Sequence, residues 1–158
     1  MSLTFNLRAA QDAVAFVASQ MTIGSGNQPD SSPDGAACVA FIRSTMLCTD
    51  NFIPHLAQRT MANGCGNCGE QAAIAFEFLR SKGMSPVDYM NLNDPDGKAI
   101  HSFVVIAFSG DGNACNWGPE AVICDPWDNG QAYPANQISQ QMSLYQPGCT
   151  VVTIRRET

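Results

Sequence analysis

Cys68 stands where a thiol can become a nucleophile. It follows the turn Gly64-Cys65-Gly66-Asn67 and opens a stretch, residues 68–82, that carries Ala72, Ala75, Phe76 and Leu79 on one face at helical spacing. The first N–H groups of a helix lack partners, and the helix dipole adds partial positive charge there, so a thiolate is favoured over a thiol. The same groups can hold the oxyanion formed when a thiolate attacks a carbonyl. Gly64, Gly66 and Gly69 leave room for a substrate to reach the sulfur. Asn67 and Gly69 are the neighbours best placed to bind substrate or oxyanion.

A thiolate at neutral pH benefits from a base, and the chain has two histidines. His55 follows Pro54 in a stretch of indistinct pattern, whereas His101 opens a strong strand, so His101 is the expected partner. An imidazole needs a third group to fix its tautomer and orientation. If strands 101–108 and 121–125 form an antiparallel hairpin turning at Gly112-Asn113, Asp125 falls opposite His101 and Val122 opposite Val104. A carboxylate beside an imidazole is the orienting arrangement of a catalytic triad.

The elements that must hold these residues follow from pattern and punctuation. A helix is expected over 7–21, with Ala10, Val14, Phe16, Val17 and Met21 inward, and another over 36–49, with Val39, Ile42, Met46 and Leu47 inward. Between them, 24–35 is polar, rich in Gly and Pro, and reads as a flexible loop. Residues 50–62 are ambiguous, with Pro54 able to start a short helix. Lys82-Gly83 stops the nucleophile helix, and 91–98 is loop. Strands are expected at 100–108, 121–124 and 149–155, with a short helix at 137–143. Helices first and strands after imply one α+β domain over 1–158, with the nucleophile helix packed on an antiparallel sheet.

Composition narrows the partners. Charged residues are 14% of the chain, the net charge is −6 and the pI is about 4.6. That balance argues against nucleic acid and anionic membrane, where Lys and Arg must neutralise phosphate. No apolar run reaches membrane-spanning length. The first residues lack the basic start and apolar block of a signal peptide, and Met1-Ser2-Leu3 leaves an upstream export signal open. The seven cysteines are an odd number, and Cys38, Cys48, Cys124 and Cys149 lie in apolar patterns, so most are expected to be reduced core residues.

Three segments together carry a family resemblance. Asn67-Cys68-Gly69-Glu70-Gln71-Ala72, then His101-Ser102-Phe103-Val104-Val105-Ile106, then Asp125-Pro126-Trp127 resemble the papain-like and transglutaminase-like cysteine enzymes. The chain is most similar to their bacterial toxin and type III effector branch, which includes cysteine proteases and protein glutamine deamidases. The resemblance covers roughly 64–134. It implies Cys68 as nucleophile, His101 as base and Asp125 as third member, with no cofactor and no metal. It implies a protein substrate, a host protein among them, and a secreted bacterial virulence factor acting in the host cytosol; without the resemblance a cytoplasmic protein is expected. Glutamine deamidation is the first expectation and proteolysis the alternative. Two departures stand out. The segment between His101 and Asp125 is long and holds Cys115 and Trp117, and no glutamine precedes Cys68 to serve an oxyanion; Asn63 or Asn67 stands in for it.

Other readings of the same residues stay open. Asp125 before Pro126 is also an ordinary strand ending. Trp127 serves packing or substrate contact. Glu70 suits the helix dipole. Cys65 and Cys68 form a Cys-x-x-Cys, which also marks a redox dithiol or half of a zinc site. However, no strand precedes it and no second closely spaced pair follows. Cys65 is then a redox partner that could mask Cys68 as a disulfide. A catalytically silent binding module of the same fold is the non-enzymatic alternative.

Overall fold

The computed structural model describes residues 1–46, 51–110 and 113–158, with Cys115 described by its backbone alone. The expected helical positions 47–49 and the turn residue Gly112 lie outside the described residues. Helix α1 (Leu3–Gln20) starts earlier than the apolar pattern indicates, because the Ser2 side chain accepts the Phe5 N–H and caps it. Helix α2 (Pro33–Thr45) likewise starts early, on Ser32 as cap and Pro33 in its first turn. The ambiguous stretch is helix α3 (Phe52–Asn63), with Ile53, Leu56, Ala57 and Thr60 buried. It ends at Gly64, whose left-handed φ of 72° suits a residue without Cβ. Helix α4 (Cys68–Ser81) packs against α1, α3 and the sheet. Residues 70–76 are all buried, so α4 is a central helix rather than one with a single inward face.

Strands β1 (Val87–Asn93), β2 (Ala99–Ile106), β3 (Val122–Asp125), β4 (Gln131–Pro134) and β5 (Thr150–Glu157) form one antiparallel sheet in the order β4-β3-β2-β1-β5. The sheet has cores on both faces. Val87, Tyr89, Val104, Ile106, Val122 and Cys124 meet α1–α4. Met90, Leu92, Phe103, Val105, Ile123 and Tyr133 meet Trp117, Ala121, Ala135 and Met142 from the connections and short helix α5 (Ile138–Gln141). The fold is α+β, with helices before the sheet as the element order implied.

The hairpin register differs from expectation by two residues. Val104 lies opposite Cys124 and Ile106 opposite Val122, so the same register puts Asp125 across from Phe103 rather than His101. The length of the connection is the cause: β2 ends at Ile106, β3 begins at Val122, and a 3-10 turn at Ala114–Asn116 lies between them. A shift of two preserves the side-chain alternation, so His101 and Asp125 stay on one face as diagonal neighbours.

Candidate active site

The start of α4, the start of β2 and the end of β3 deliver Cys68, His101 and Asp125 to one end of the sheet. His101 Nε2 and Asp125 Oδ2 are 2.7 Å apart, and both side chains are fully shielded from solvent. The second carboxylate oxygen, Oδ1, accepts the Asp128 N–H at 3.3 Å. Asp128 is itself buried and takes the Ser143 N–H at 2.8 Å and hydroxyl at 2.9 Å. The Asp125-Pro126-Trp127-Asp128 turn is therefore tied to the segment after α5. Rings enclose the imidazole: Phe103 stacks at 5.9 Å between centroids and Trp127 lies at 5.3 Å.

With Nε2 committed to Asp125, Nδ1 is left, and it has no hydrogen-bond partner among the described residues. Cys68 lies near enough to the ring to raise its basicity. Burial opposes a charged imidazole, but the hydrogen bond and charge of Asp125, with Cys68 beside the ring, outweigh it and push the His101 pKa up to about 10. Burial pushes the Asp125 carboxyl up as well, and its contact with His101 opposes that rise. The carboxylate accepts from both the ring and the Asp128 N–H, so the shared proton resides on the imidazole. The arrangement favours a protonated imidazole beside the Cys68 sulfur.

Cys68 is half-buried, whereas Cys124 is fully buried and its thiol is pushed up by that burial. The turn before Cys68 is held from several sides. Gly66 donates to Gly24 O at 3.1 Å, and Ile23 donates to Gly64 O at 2.8 Å. A Cβ on Gly66 would lie 2.7 Å from the Glu70 Cβ and 3.0 Å from Thr60 Cγ2, so that position requires glycine. Glu70 is buried and accepts the Asn67 N–H at 3.1 Å. It also forms a bidentate pair with Arg43 of α2, at 2.6 Å to Nε and 3.1 Å to Nη2. Glu70 is thus more than a dipole residue. Gly69 faces the sheet, its carbonyl accepting the Tyr89 hydroxyl at 3.0 Å. Burial above all pushes that phenol up to about 12, so it donates.

Cys65 corrects the sequence reading. It is bonded to Cys38 of α2, with Cα atoms 6.1 Å apart, and not to Cys68. The chain folds α2 beside the turn, which brings Cys38 within disulfide reach, while Cys68 begins the helix and faces His101. Both cysteines are removed from the reduced core, and Cys65 is removed from any redox dithiol or zinc role with Cys68. Among the described residues, no group of three or more His, Cys, Asp or Glu could hold a metal. His55 is exposed on α3, away from this chemistry.

The loop expected to be flexible is pinned across the site. Ser25 hydroxyl and Gly26 N–H both donate to Asn67 Oδ1, at 3.1 and 2.8 Å. Trp127 Nε1 donates to Asn27 Oδ1 at 2.9 Å, and Gln28 Nε2 donates to the Trp127 carbonyl at 2.6 Å. Residues 25–28 therefore bridge the turn before Cys68 and the Asp125 turn, and Trp127 serves as packing against His101. Asn63 is not at the site: its amide donates to Arg59 O on its own helix, at 2.8 Å. The sequence reading missed Ser25, Gly26, Arg43, Asp128 and Ser143. Ser143 and Arg43 carry no local motif; only the buried Asp128 in the Asp-Pro-Trp-Asp run offered a signal. Compared with family models, curated proteins and solved structures, the chain returns no match.

Proposed function

We propose that this chain is a cysteine-dependent acyl-transfer enzyme acting on carboxamides of protein substrates, with glutamine deamidation as its reaction. The observation that carries the proposal is the sealed His101–Asp125 bond of 2.7 Å, which leaves Nδ1 as the ring nitrogen available to Cys68. The thiolate of Cys68 attacks the carbonyl carbon of a glutamine side chain. The carbonyl electron pair moves to oxygen, and N–H groups at the start of α4 meet that oxyanion. The His101 imidazolium gives its proton to the departing nitrogen, and ammonia leaves a thioester on Cys68. Water then attacks the thioester with His101 as base, releasing glutamate and the thiol. Asp125 keeps the ring oriented and its charge compensated throughout.

The choice of glutamine rests on the resemblance to bacterial effectors. Export and a host-protein substrate rest on the same ground. No helix among the described residues is long and apolar enough to cross a membrane. Incubation with candidate host proteins, read by intact mass, tests the reaction. The proposal expects a gain of about one dalton per converted glutamine, absent with Cys68→Ala. Fragments would replace deamidation by proteolysis at the same site. Products that persist with Cys68→Ala would remove the site from the chemistry.

A further inference from the structure

The far end of α4 borders a groove that the chemistry at Cys68 does not use. Leu79 lies about 16 Å along the helix axis from Cys68. There a cavity of about 470 Å³ opens between α1, the end of α4 and Met84, a size within the range of small-molecule sites. Phe5, Phe78, Leu79 and Met84 wall it with apolar carbon. These walls are largely preformed: Leu79 and Met84 are buried, and Phe78 stacks on Phe16 with centroids 4.8 Å apart. Phe5 stands at the rim, 53% exposed. A lone exposed phenylalanine needs no explanation, but this one continues an apolar cavity wall. Three exposed charges, Arg8, Asp12 and Lys82, border the same groove. Arg43, Arg80 and Arg156 are each paired with a carboxylate, on Glu70, Glu77 and Asp88. Arg8 and Lys82 have no ion pair among the described residues, although the net charge is −6 and carboxylates are in excess. Lys82 instead holds its ammonium 5.3 Å from the centre of the Phe78 ring, over the groove wall.

We propose that this groove binds a small amphipathic carboxylate: an alkyl chain against Phe5, Phe78, Leu79 and Met84, with its carboxylate at Arg8 and Lys82. The site stands apart from Cys68 and does not depend on the acyl-transfer reading. Two uncompensated cations beside apolar walls complement a ligand with an anionic head and an apolar body. Asp12 disfavours further negative charge, so a monocarboxylate fits and a polyanion does not. The backbone offers an extended peptide little to pair with. Carbonyls in the last turn of α4 already accept the Lys82, Gly83 and Met84 N–H groups at 3.0 to 3.2 Å, and the α1 wall is helix. An alkyl chain makes no such demand.

The test titrates the isotope-labelled full chain with decanoate and follows the backbone amide shifts by NMR. Decanol, the same chain without the charge, is the comparison. Saturable shifts are expected at residues 5–12 and 78–84, with decanoate bound about tenfold more tightly than decanol. The double variant Arg8→Gln, Lys82→Gln should lose that advantage and bind both ligands alike. Phe5→Ser should weaken both. All three positions are exposed, and the amide spectrum itself reports whether each variant stays folded. Equal affinity for decanoate and decanol in the parent protein would overturn the proposal. So would shifts confined to other residues, or a double variant that still prefers decanoate. A blocked tetrapeptide of glutamate and leucine is titrated in parallel. Shifts of the same amides at lower concentration than decanoate requires would assign the groove to a protein partner and overturn the ligand class. Shifts there on raising protein concentration alone would assign it to a second copy, with the same consequence.

Discussion

His101 is buried between Asp125, Phe103, Trp127 and Cys68, and Asp125 holds its proton. Its pKa is pushed up to about 10 from an ordinary 6.5, so the imidazolium persists through neutral pH. An NMR titration of the His101 ring should find it protonated at pH 8. Asp125→Asn removes the charge that holds the proton and should bring the titration down towards the ordinary range. A midpoint near 6.5 in both proteins would contradict the coupling. The same shift enters stability. The folded protein binds the His101 proton more tightly than the unfolded chain does, so its contribution is complete below pH 6.5 and is lost as pH rises through about 10. Urea midpoints should therefore decline from pH 6.5 to 9, before the buried Cys124 and Tyr89 add their own losses at higher pH. The Asp125→Asn variant should show a flatter decline, and an equal slope would assign it elsewhere.

At the scale of elements, α4 is located by its neighbours as much as by its own sequence. Arg43 of α2 is the cation for Glu70, which is buried and also accepts the Asn67 N–H. Arg43→Met leaves that carboxylate unpaired and should cost about 2–3 kcal/mol in chemical denaturation, softened because Arg43 itself is mostly exposed. A change below the error of the measurement would show that water replaces Arg43. The start of α4 and strand β2 were legible because their signals are local: a Gly-rich turn with Asn67 before a helix, and an unbroken β-branched run. Strand β1 was not, since Asp88, Asn91 and Asn93 are poor strand formers. Its Asp88 is accommodated by Thr153 and Arg156 of β5, far along the chain. The register of β2 on β3 differs from the expected one by two residues because β2 ends at Ile106 and β3 begins at Val122, with a 3-10 turn at Ala114–Asn116 between them. The His101–Asp125 pairing was still found, because a shift of two keeps both side chains on one face. Arg43, Ser25 and Ser143 act across long separations and leave no mark in any local pattern.

At the scale of the whole molecule, the Cys38–Cys65 bond joins α2 to the turn before Cys68 across a sequence separation of 27. Closing a loop of that length stabilises by about 3–4 kcal/mol in the chain-entropy account. Such bonds persist in oxidising surroundings and are reduced in a cytosol. Peptide mapping of protein prepared without reductant should recover the Cys38–Cys65 linkage. The double variant Cys38→Ser, Cys65→Ser should unfold at lower urea. It should still label Cys68 rapidly, because Gly24 and the Arg43–Glu70 pair continue to hold the turn. Rapid labelling lost together with the bond would make the disulfide a condition of the site rather than a staple beside it.

The central claim is that Cys68 is an activated thiol and not one more small hydrophobe. Per-residue alkylation by iodoacetamide near pH 7, followed by mass spectrometry, tests it without knowledge of the substrate. Cys68 should be modified at least tenfold faster than half-buried Cys149 and buried Cys124, and His101→Ala should remove most of that advantage. Equal, slow modification of Cys68 and Cys149 would contradict the account.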